Sequence, residues 1–346
     1  MKILVPGGAG YIGSIVSEGL LDQGHSVVVL DNLQEGHRKA VLPRAVFVEG
    51  NLADKNLLEE IFRSHDIKAV IHMTAETTIE FSMADPGRYF QNNVVSGLNL
   101  LDAMLKFGVH KMIFSSTATV YGEPEYIPIT EGHPQRPINA YGESKLMFEK
   151  ILNWYHRAYG IKYASFRYFN AAGASERLGE DHKHESHLIP LVIETALGQQ
   201  KSGKEENKRL GNSELKEKAE DKVVKILGTD YPTRDGTCVR DYIHVADLAR
   251  AHILALDALD ELKARIYNLG NGEGYTVREV IETARKITGV DIPAVDVGRR
   301  AGDPAILVAS AKRAKEELGW EPQYPDLELI VRSAWKWRRK HPHGYD

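Results

Sequence analysis

Tyr141 and Lys145 stand four residues apart in the run Tyr141-Gly142-Glu143-Ser144-Lys145. On a helix that spacing puts both side chains on one face. A phenol with an ordinary pKa of about 10 is a poor base at neutral pH, and a neighbouring ammonium favours its ionised form. The pair is therefore a candidate general base with its activator; taken alone, the same spacing also fits an ordinary surface Tyr–Lys pair. Upstream, Ser115, Ser116, Thr117 and Thr119 end an apolar run that begins at Met112. A hydroxyl at the end of a parallel strand stands where open α/β sheets bind ligands. There it can bridge a substrate hydroxyl and the phenol, or simply cap a turn.

A second constellation opens the chain. Gly7, Gly8, Gly10 and Gly13 follow the apolar run Lys2–Val5 and precede a helical pattern. Gly8-x-Gly10-x-x-Gly13 and Gly7-x-x-Gly10-x-x-Gly13 both meet the spacing of a dinucleotide-binding turn. Its glycines permit a tight turn, close approach to a pyrophosphate and close helix–strand packing. Asp31 lies 18 residues after Gly13, at the end of the next apolar run. A carboxylate there accepts from ribose hydroxyls and repels a 2′-phosphate, which points to NAD rather than NADP.

The elements that must position these residues alternate. Strand candidates are Lys2–Val5, Val27–Leu30, Val46–Val48, Ala69–His72, Lys111–Ser115 and Tyr163–Arg167. Helical spacing marks Ile12–Leu21, Leu57–Phe62, Val94–Leu105 and Ser144–Tyr159 between them. Near-continuous apolar strands separated by helices require a parallel sheet covered on both faces, a doubly wound α/β fold. After about residue 170 the alternation breaks up, although Ile266–Leu269 still reads as a strand and Tyr242–Leu256 as a helix. We therefore expect a dinucleotide-binding Rossmann domain over 1–170 and a smaller substrate lobe over 171–346, interleaved with the sheet. Residues 201–222 are dense in both charges and nearly devoid of apolar side chains, the composition of a mobile or marginally helical surface insertion.

Composition excludes several classes. Forty-four basic residues against 48 acidic ones, mixed in sign over 346 residues, give no footprint for nucleic acid or an anionic membrane. No apolar run approaches the roughly 20 residues of a membrane span, and the N-terminal apolar stretch is too short for a secretory signal. The single cysteine, Cys238, makes neither an internal disulfide nor a metal cluster, so no metal is expected and the setting is a reduced, cytoplasmic one.

Taken in order, the glycine turn, Asp31, the hydroxyl strand and Tyr-x-x-x-Lys resemble the extended short-chain dehydrogenase/reductase family. Further matching segments are Gln91–Val94, Phe166–Gly173, His187–Pro190, Asp230–Val245, Tyr267–Val277 and Arg299–Ala305, so the resemblance covers nearly the whole chain outside the charged insertion. It implies that Tyr11 and Ile12 cover the NAD pyrophosphate, and that Asp31 and Asn32 hold the adenosine ribose. Asn51 and Leu52 would meet the adenine edge; Met73, Thr74, Ala75 and Thr77 would line the ribose and nicotinamide side. Asn93, Lys145 and Phe169 would complete that pocket. On the other side Thr117 and Tyr141 would meet a sugar, while Asn170, His187, Leu188, Arg240, Arg300 and Asp303 would grip a nucleotide diphosphate. Arginine forks suit phosphate oxygens; Leu188 also reads as core, and Asp303 as the partner of an arginine. Leu307 would border the sugar where relatives carry a bulky tyrosine, which implies room for a 2-acetamido group. Pro6, Asn51 and His187 depart from the residues common at their positions, threonine, aspartate and asparagine.

The activity this implies is reversible inversion at C4 of a UDP-hexose, with Tyr141 as base, Thr117 as hydroxyl bridge and NAD as hydride carrier. Ala118-Thr119 replaces the Asp-Glu that dehydrating relatives carry after the hydroxyl residue, which argues against elimination. Other UDP-sugars, such as a uronate or a pentose, and a catalytically silent nucleotide sensor are the competing readings. Homodimerisation through the Val94–Leu105 and Ser144–Tyr159 segments is the expected assembly.

Overall fold

The computed structural model describes residues 1–206, 223–300 and 302–346; of 201–206 it describes the backbone alone. Six parallel strands, β1 (Lys2–Pro6), β2 (Ser26–Asp31), β3 (Val46–Glu49), β4 (Ala69–His72), β5 (Lys111–Thr117) and β6 (Lys162–Tyr168), pair in the order 3-2-1-4-5-6. A seventh, Ala264–Leu269, joins in parallel beside β6, pairing Asn268 with Arg167 and Leu269 with Tyr168. The sheet thus takes strands from both halves of the chain. Strand order reverses between β1 and β4, so their C-terminal ends open a crevice at the topological switch point.

The inner strands are apolar because both faces are covered, whereas β3 at the edge is half-exposed. Ile3, Val5, Val27 and Val29 point to one side, against Ile15, Val16 and Leu20 of helix α1 (Tyr11–Asp22) and Leu248, Ala249 and Leu256 of the Val245–Leu262 helix. Leu4, Val28 and Leu30 point to the other, against Leu58 and Phe62 of the Lys55–Ser64 helix, Leu100 and Met104 of Ser96–Lys106, and Phe148 and Leu152 of Ala140–Tyr159. This is the two-sided burial that parallel sheets require.

Two readings from sequence are corrected. Tyr242–His244 is not the start of a helix but a short strand pairing with Asn170–Ala172; the helix begins at Val245, capped by His244, whose Nδ1 accepts from the Ala246 N–H at 3.1 Å. Strand pairing with a partner over 70 residues away overrides the helical spacing. The segment from Val94 begins inside a π-turn, Gln91–Val95, and the regular helix starts only at Ser96. The remaining small sheets pair 275–276 and 306–307 with 239–240, and 294–297 with 224–227. The Leu188–Glu206 helix, Val277–Thr288 and Leu327–Lys340 share a third apolar cluster around Ile193, Ile281 and Ile330. Of the charged stretch 201–222, the first six residues continue the Leu188–Glu206 helix and the rest lies outside the described residues. Among the described residues no helix is long and apolar enough to cross a membrane.

Inside this frame lies a buried ion pair. Arg167 of β6 and Glu149 of the Ala140–Tyr159 helix are 1% and 2% exposed at the side chain and meet at 2.6 Å. Removing one partner of such a pair leaves a buried charge uncompensated, at a cost of about 3–5 kcal/mol. Arg167→Met is therefore expected to lower the unfolding free energy by about that amount, read from the urea midpoint; an unchanged midpoint would show that Glu149 is not held by Arg167.

Candidate functional site

The Ala140–Tyr159 helix begins with Asn139, whose Oδ1 accepts from the Gly142 N–H at 2.8 Å. A Cβ at Gly142 would lie 2.8 Å from the Thr119 carbonyl oxygen, so glycine is what lets the helix start against the turn that ends β5. That contact sets Tyr141 beside Thr117, close enough for the threonine hydroxyl to favour the ionised phenol. Thr117 also donates to Thr119 Oγ1 at 3.0 Å. One helical turn on, Lys145 is buried and its ammonium donates to the Ser115 carbonyl at 2.7 Å, under the Phe114 ring. Tyr141, Lys145 and Thr117 are thus brought together at the C-terminal end of β5.

The electrostatics differ from the expectation. Burial pushes the Tyr141 phenol up to about 12, and the Thr117 hydroxyl only partly opposes this. Burial also pulls Lys145 down to about 7, against the pull of Glu149 one turn further along. Lys145 does not offset the desolvation of the phenol, because its own charge is disfavoured by the same burial and is directed at a carbonyl. The phenol needs a further positive charge beside it before it can ionise near neutrality.

Glu149, which the sequence reading missed, anchors this arrangement. It accepts from Ser116 of β5 at 2.5 Å and from Arg167 Nε and Nη2 at 3.0 and 2.6 Å. Arg167 Nη1 donates to Tyr121 at 2.9 Å, and Tyr121 donates to Asn268 Oδ1 at 2.6 Å. The network joins three neighbouring strands to the helix that carries Tyr141. The signal available in sequence was its place four residues after Lys145.

At the switch point, Gly7 has φ of +81°, and a Cβ on Gly13 would lie 2.2 Å from the Gly7 carbonyl oxygen, so the turn closes only with glycine at both positions. Gly10 caps helix α1 without a side chain, and a Cβ there would meet nothing nearer than 3.4 Å. This leaves room over the first-turn N–H groups of Tyr11, Ile12 and Gly13, which suits a pyrophosphate. Asp31 accepts from the Ala9 N–H at 3.0 Å and the Leu33 N–H at 2.9 Å. Burial raises its carboxyl while both amides oppose the shift. It therefore clamps the glycine turn to β2 as well as presenting lone pairs outward. Asn32 and Asn51 each cap a turn, accepting from the Gln34 and Ala53 N–H groups, and Leu52 is core. Met73 and Thr74 abut Gly7 at the end of β4, with Ala75 following and Thr77 exposed on the same loop. Asn93, in the π-turn, accepts from the Glu76 N–H and donates to the Glu76 carbonyl and to Ser144. Both of its amide protons are so occupied, and it acts on the pocket by fixing the 76–77 loop to the Tyr141 helix rather than by donating to a ligand.

The opposite wall comes from the second half of the chain. Asp241, fully buried, accepts from the N–H groups of Asn271, Gly272 and Ala309 at 2.8 to 3.0 Å, while burial lifts its carboxyl to about 7. It thereby fixes the Arg240 strand against strand 306–307, whose Leu307 sits in register with Arg240. Leu307 packs on the cluster containing Ala118 and Phe169, next to the turn after Thr117. Asp303 forks with Arg300 at 2.9 and 3.0 Å and lies 3.6 Å from Arg240. Asn170 donates to the Asp241 carbonyl at 3.0 Å, and Leu188 packs on the third apolar cluster. His187 faces Glu180 and Glu185 instead of the arginines, at 2.9 and 3.1 Å. Tyr11 donates to the Gly173 carbonyl at 2.7 Å, at the head of the loop that carries these acids.

The description "NAD dependent epimerase/dehydratase family" matches residues 3–270, and "GDP-mannose 4,6 dehydratase" matches residues 215–333. The UDP-glucose 4-epimerase of Halalkalibacterium halodurans is 49% identical over 348 residues, covering 100% of this chain and 98% of that protein. A solved UDP-glucose 4-epimerase superposes with a TM-score of 0.92 at 46% identity over 100% of both chains. The Bifidobacterium longum UDP-glucose 4-epimerase, solved with NAD+ and UDP, gives 0.89 at 38% identity over 99% of this chain and 100% of that one. The first family match runs from β1 through the seventh strand and so takes in the whole sheet, its switch point and the Tyr141 helix: the chain belongs to the NAD dependent epimerase/dehydratase family.

Proposed function

We propose that this protein interconverts UDP-glucose and UDP-galactose by inversion at C4, using NAD held at the β1–β4 crevice. The observation that carries the reading is Tyr141 set beside Thr117 at the end of β5, one helical turn from buried Lys145, across the crevice from the glycine turn. NAD supplies the hydride acceptor and, in its oxidised form, the positive charge that the buried phenol lacks. Gly7, Gly10, Tyr11, Ile12 and Gly13 would receive its pyrophosphate, Asp31 and Asn32 the adenosine ribose, and the 73–77 loop with Phe169 the nicotinamide side. Tyr141 takes the proton of the sugar 4-hydroxyl, Thr117 orients both hydroxyls, and Lys145 fixes the end of β5 beneath them through the Ser115 carbonyl. C4 passes through a ketone and regains hydrogen on its opposite face, so no external oxidant is consumed. Arg240 and Arg300, held by Asp303, would take the UDP diphosphate, with Asn170 beside them. In this division residues 1–170 carry most of the cofactor contacts and 171–346 most of those to UDP-sugar.

The proposed assembly is a cytoplasmic homodimer. Met147 and Trp154, seven residues apart on the Ala140–Tyr159 helix, and Val95 beside it are exposed apolar side chains suited to pairing with a second copy.

Purified protein supplied with UDP-glucose and no oxidant should form UDP-galactose, whereas a silent sensor would form none. Tyr141→Phe should retain NAD and lose about 10²–10⁴ in turnover; activity within a few-fold of the parent overturns the base assignment. Stripped of NAD, the protein should show no phenolate absorbance from Tyr141 until the pH nears about 12, read as the difference from Tyr141→Phe. The signal should move to lower pH when NAD is restored, because the added positive charge favours the ionised form.

Asp31→Asn should narrow the preference for NAD over NADP by about tenfold, the ratio that 1.4 kcal/mol produces. An unaltered protein that binds both cofactors equally would remove Asp31 from the ribose. Leu307 leaves more room at the sugar border than a tyrosine would, so UDP-N-acetylglucosamine and UDP-N-acetylgalactosamine should also be interconverted. Leu307→Tyr should reduce that activity selectively, by about 10-fold or more in kcat/KM. Absence of N-acetylated turnover in the unaltered protein ends this claim.

A further inference from the structure

The loop between strand Asn170–Ala172 and the Leu188–Glu206 helix gathers Glu180, His182, Glu185 and His187, and the catalytic reading uses none of the first three. His182 Nδ1 lies 3.4 Å from Glu180 and 3.2 Å from Glu185; His187 Nδ1 lies 2.9 Å from Glu180 and 3.1 Å from Glu185. One donor atom from each of the four side chains falls within 4.8 Å of all the others. A tetrahedral zinc ion with bonds of about 2.0–2.1 Å needs ligand atoms about 3.3–3.4 Å apart along each edge. Whichever Glu185 oxygen is taken, three of the six edges are already close to that length, and the other three lie within 4.8 Å.

Burial gives the cluster its sign. The Glu180 and Glu185 side chains are 7% and 8% exposed and face one another. Among the described residues, the cationic partners within ion-pair distance of either are these two histidines. Two carboxylates taken out of water need compensating charge, which is supplied either by two protonated imidazoles or, with both imidazoles neutral, by one divalent ion. Imidazole nitrogen selects a borderline metal such as zinc over calcium or magnesium. Glu185 Oε1 also accepts from the N–H groups of Ser186 and His187 at 2.8 and 2.7 Å, the outer hydrogen bonding that orients a ligating carboxylate.

We infer that Glu180, His182, Glu185 and His187 form a closed, structural zinc site that pins this loop over the N-terminus of helix α1. Four protein ligands leave no open position for substrate. The loop is tied to that helix at two points: Tyr11 donates to the Gly173 carbonyl, and its ring meets His182 edge-on at 6.2 Å. A metal at the cluster would make the second point rigid, beside the N–H groups that suit the pyrophosphate.

The test uses the full chain, saturated with NAD and dialysed free of metal, titrated with zinc alone by calorimetry and followed by thermal melting. About one zinc per chain should bind and raise the melting temperature, with magnesium giving neither effect. His182→Ala should weaken zinc binding by at least 10–100-fold, since even outer-shell losses cost about that much. The near-isosteric Glu185→Gln should do the same and keeps the test open should His182→Ala fail to fold. Absence of stoichiometric binding overturns the site, as does equal binding by Glu185→Gln or an equal response to magnesium.

Discussion

The buried pair of Glu149 and Arg167 is the constraint on which the arrangement around Tyr141 depends. Arg167 extends from β6, Ser116 from β5 and Asn268 from the seventh strand, and all are bound directly or through Tyr121 to one carboxylate on the Ala140–Tyr159 helix. A helix lying on a sheet through apolar contacts alone can slide or rotate by fractions of an ångström at little cost. A carboxylate that must satisfy a bidentate guanidinium and a serine hydroxyl cannot, because any displacement leaves charge unpaired in a low-dielectric interior. Lys145 and Tyr141 lie one and two turns before Glu149 and inherit that fixed position.

Fixing those groups in a buried place has an electrostatic consequence. The same desolvation raises the phenol and lowers the ammonium, so each is biased toward its neutral form. The protein alone thus holds the base inactive, and positive charge beside the phenol releases it. That couples proton removal to the presence of an oxidised cofactor, and a low dielectric makes the coupling stronger than it would be in water.

Much of the surrounding polar structure prepares sites without being a site itself. Asp31 joins the glycine turn to β2, Asn93 joins the 76–77 loop to the catalytic helix, and Asp241 joins two loops behind Arg240 and Leu307. Each is a buried side chain saturated mainly by backbone amides or carbonyls. Such groups are rigid because every bond lost would leave a polar atom dry, and rigidity here holds the crevice at the width a dinucleotide needs.

The sequence by itself determined the alternation of strands and helices, the glycine turn with Asp31, and the Thr117, Tyr141 and Lys145 constellation. These are local facts: periodicity over a dozen residues, steric demands of one turn, and an i,i+4 spacing. It did not reveal that Tyr242–His244 pairs as a strand, since that depends on Asn170–Ala172 far away in the chain. Nor could it tell that Asn93 is occupied within the protein, or that His187 turns toward Glu180 and Glu185 instead of the arginines. The pKa of Tyr141 went the same way: adjacency to Lys145 was legible, but the burial that outweighs it is not. Tertiary structure alone decides which side chains lose water and which distant partners replace it, and in this protein those two quantities move Tyr141, Lys145, Asp31 and Asp241 away from their ordinary pKa values.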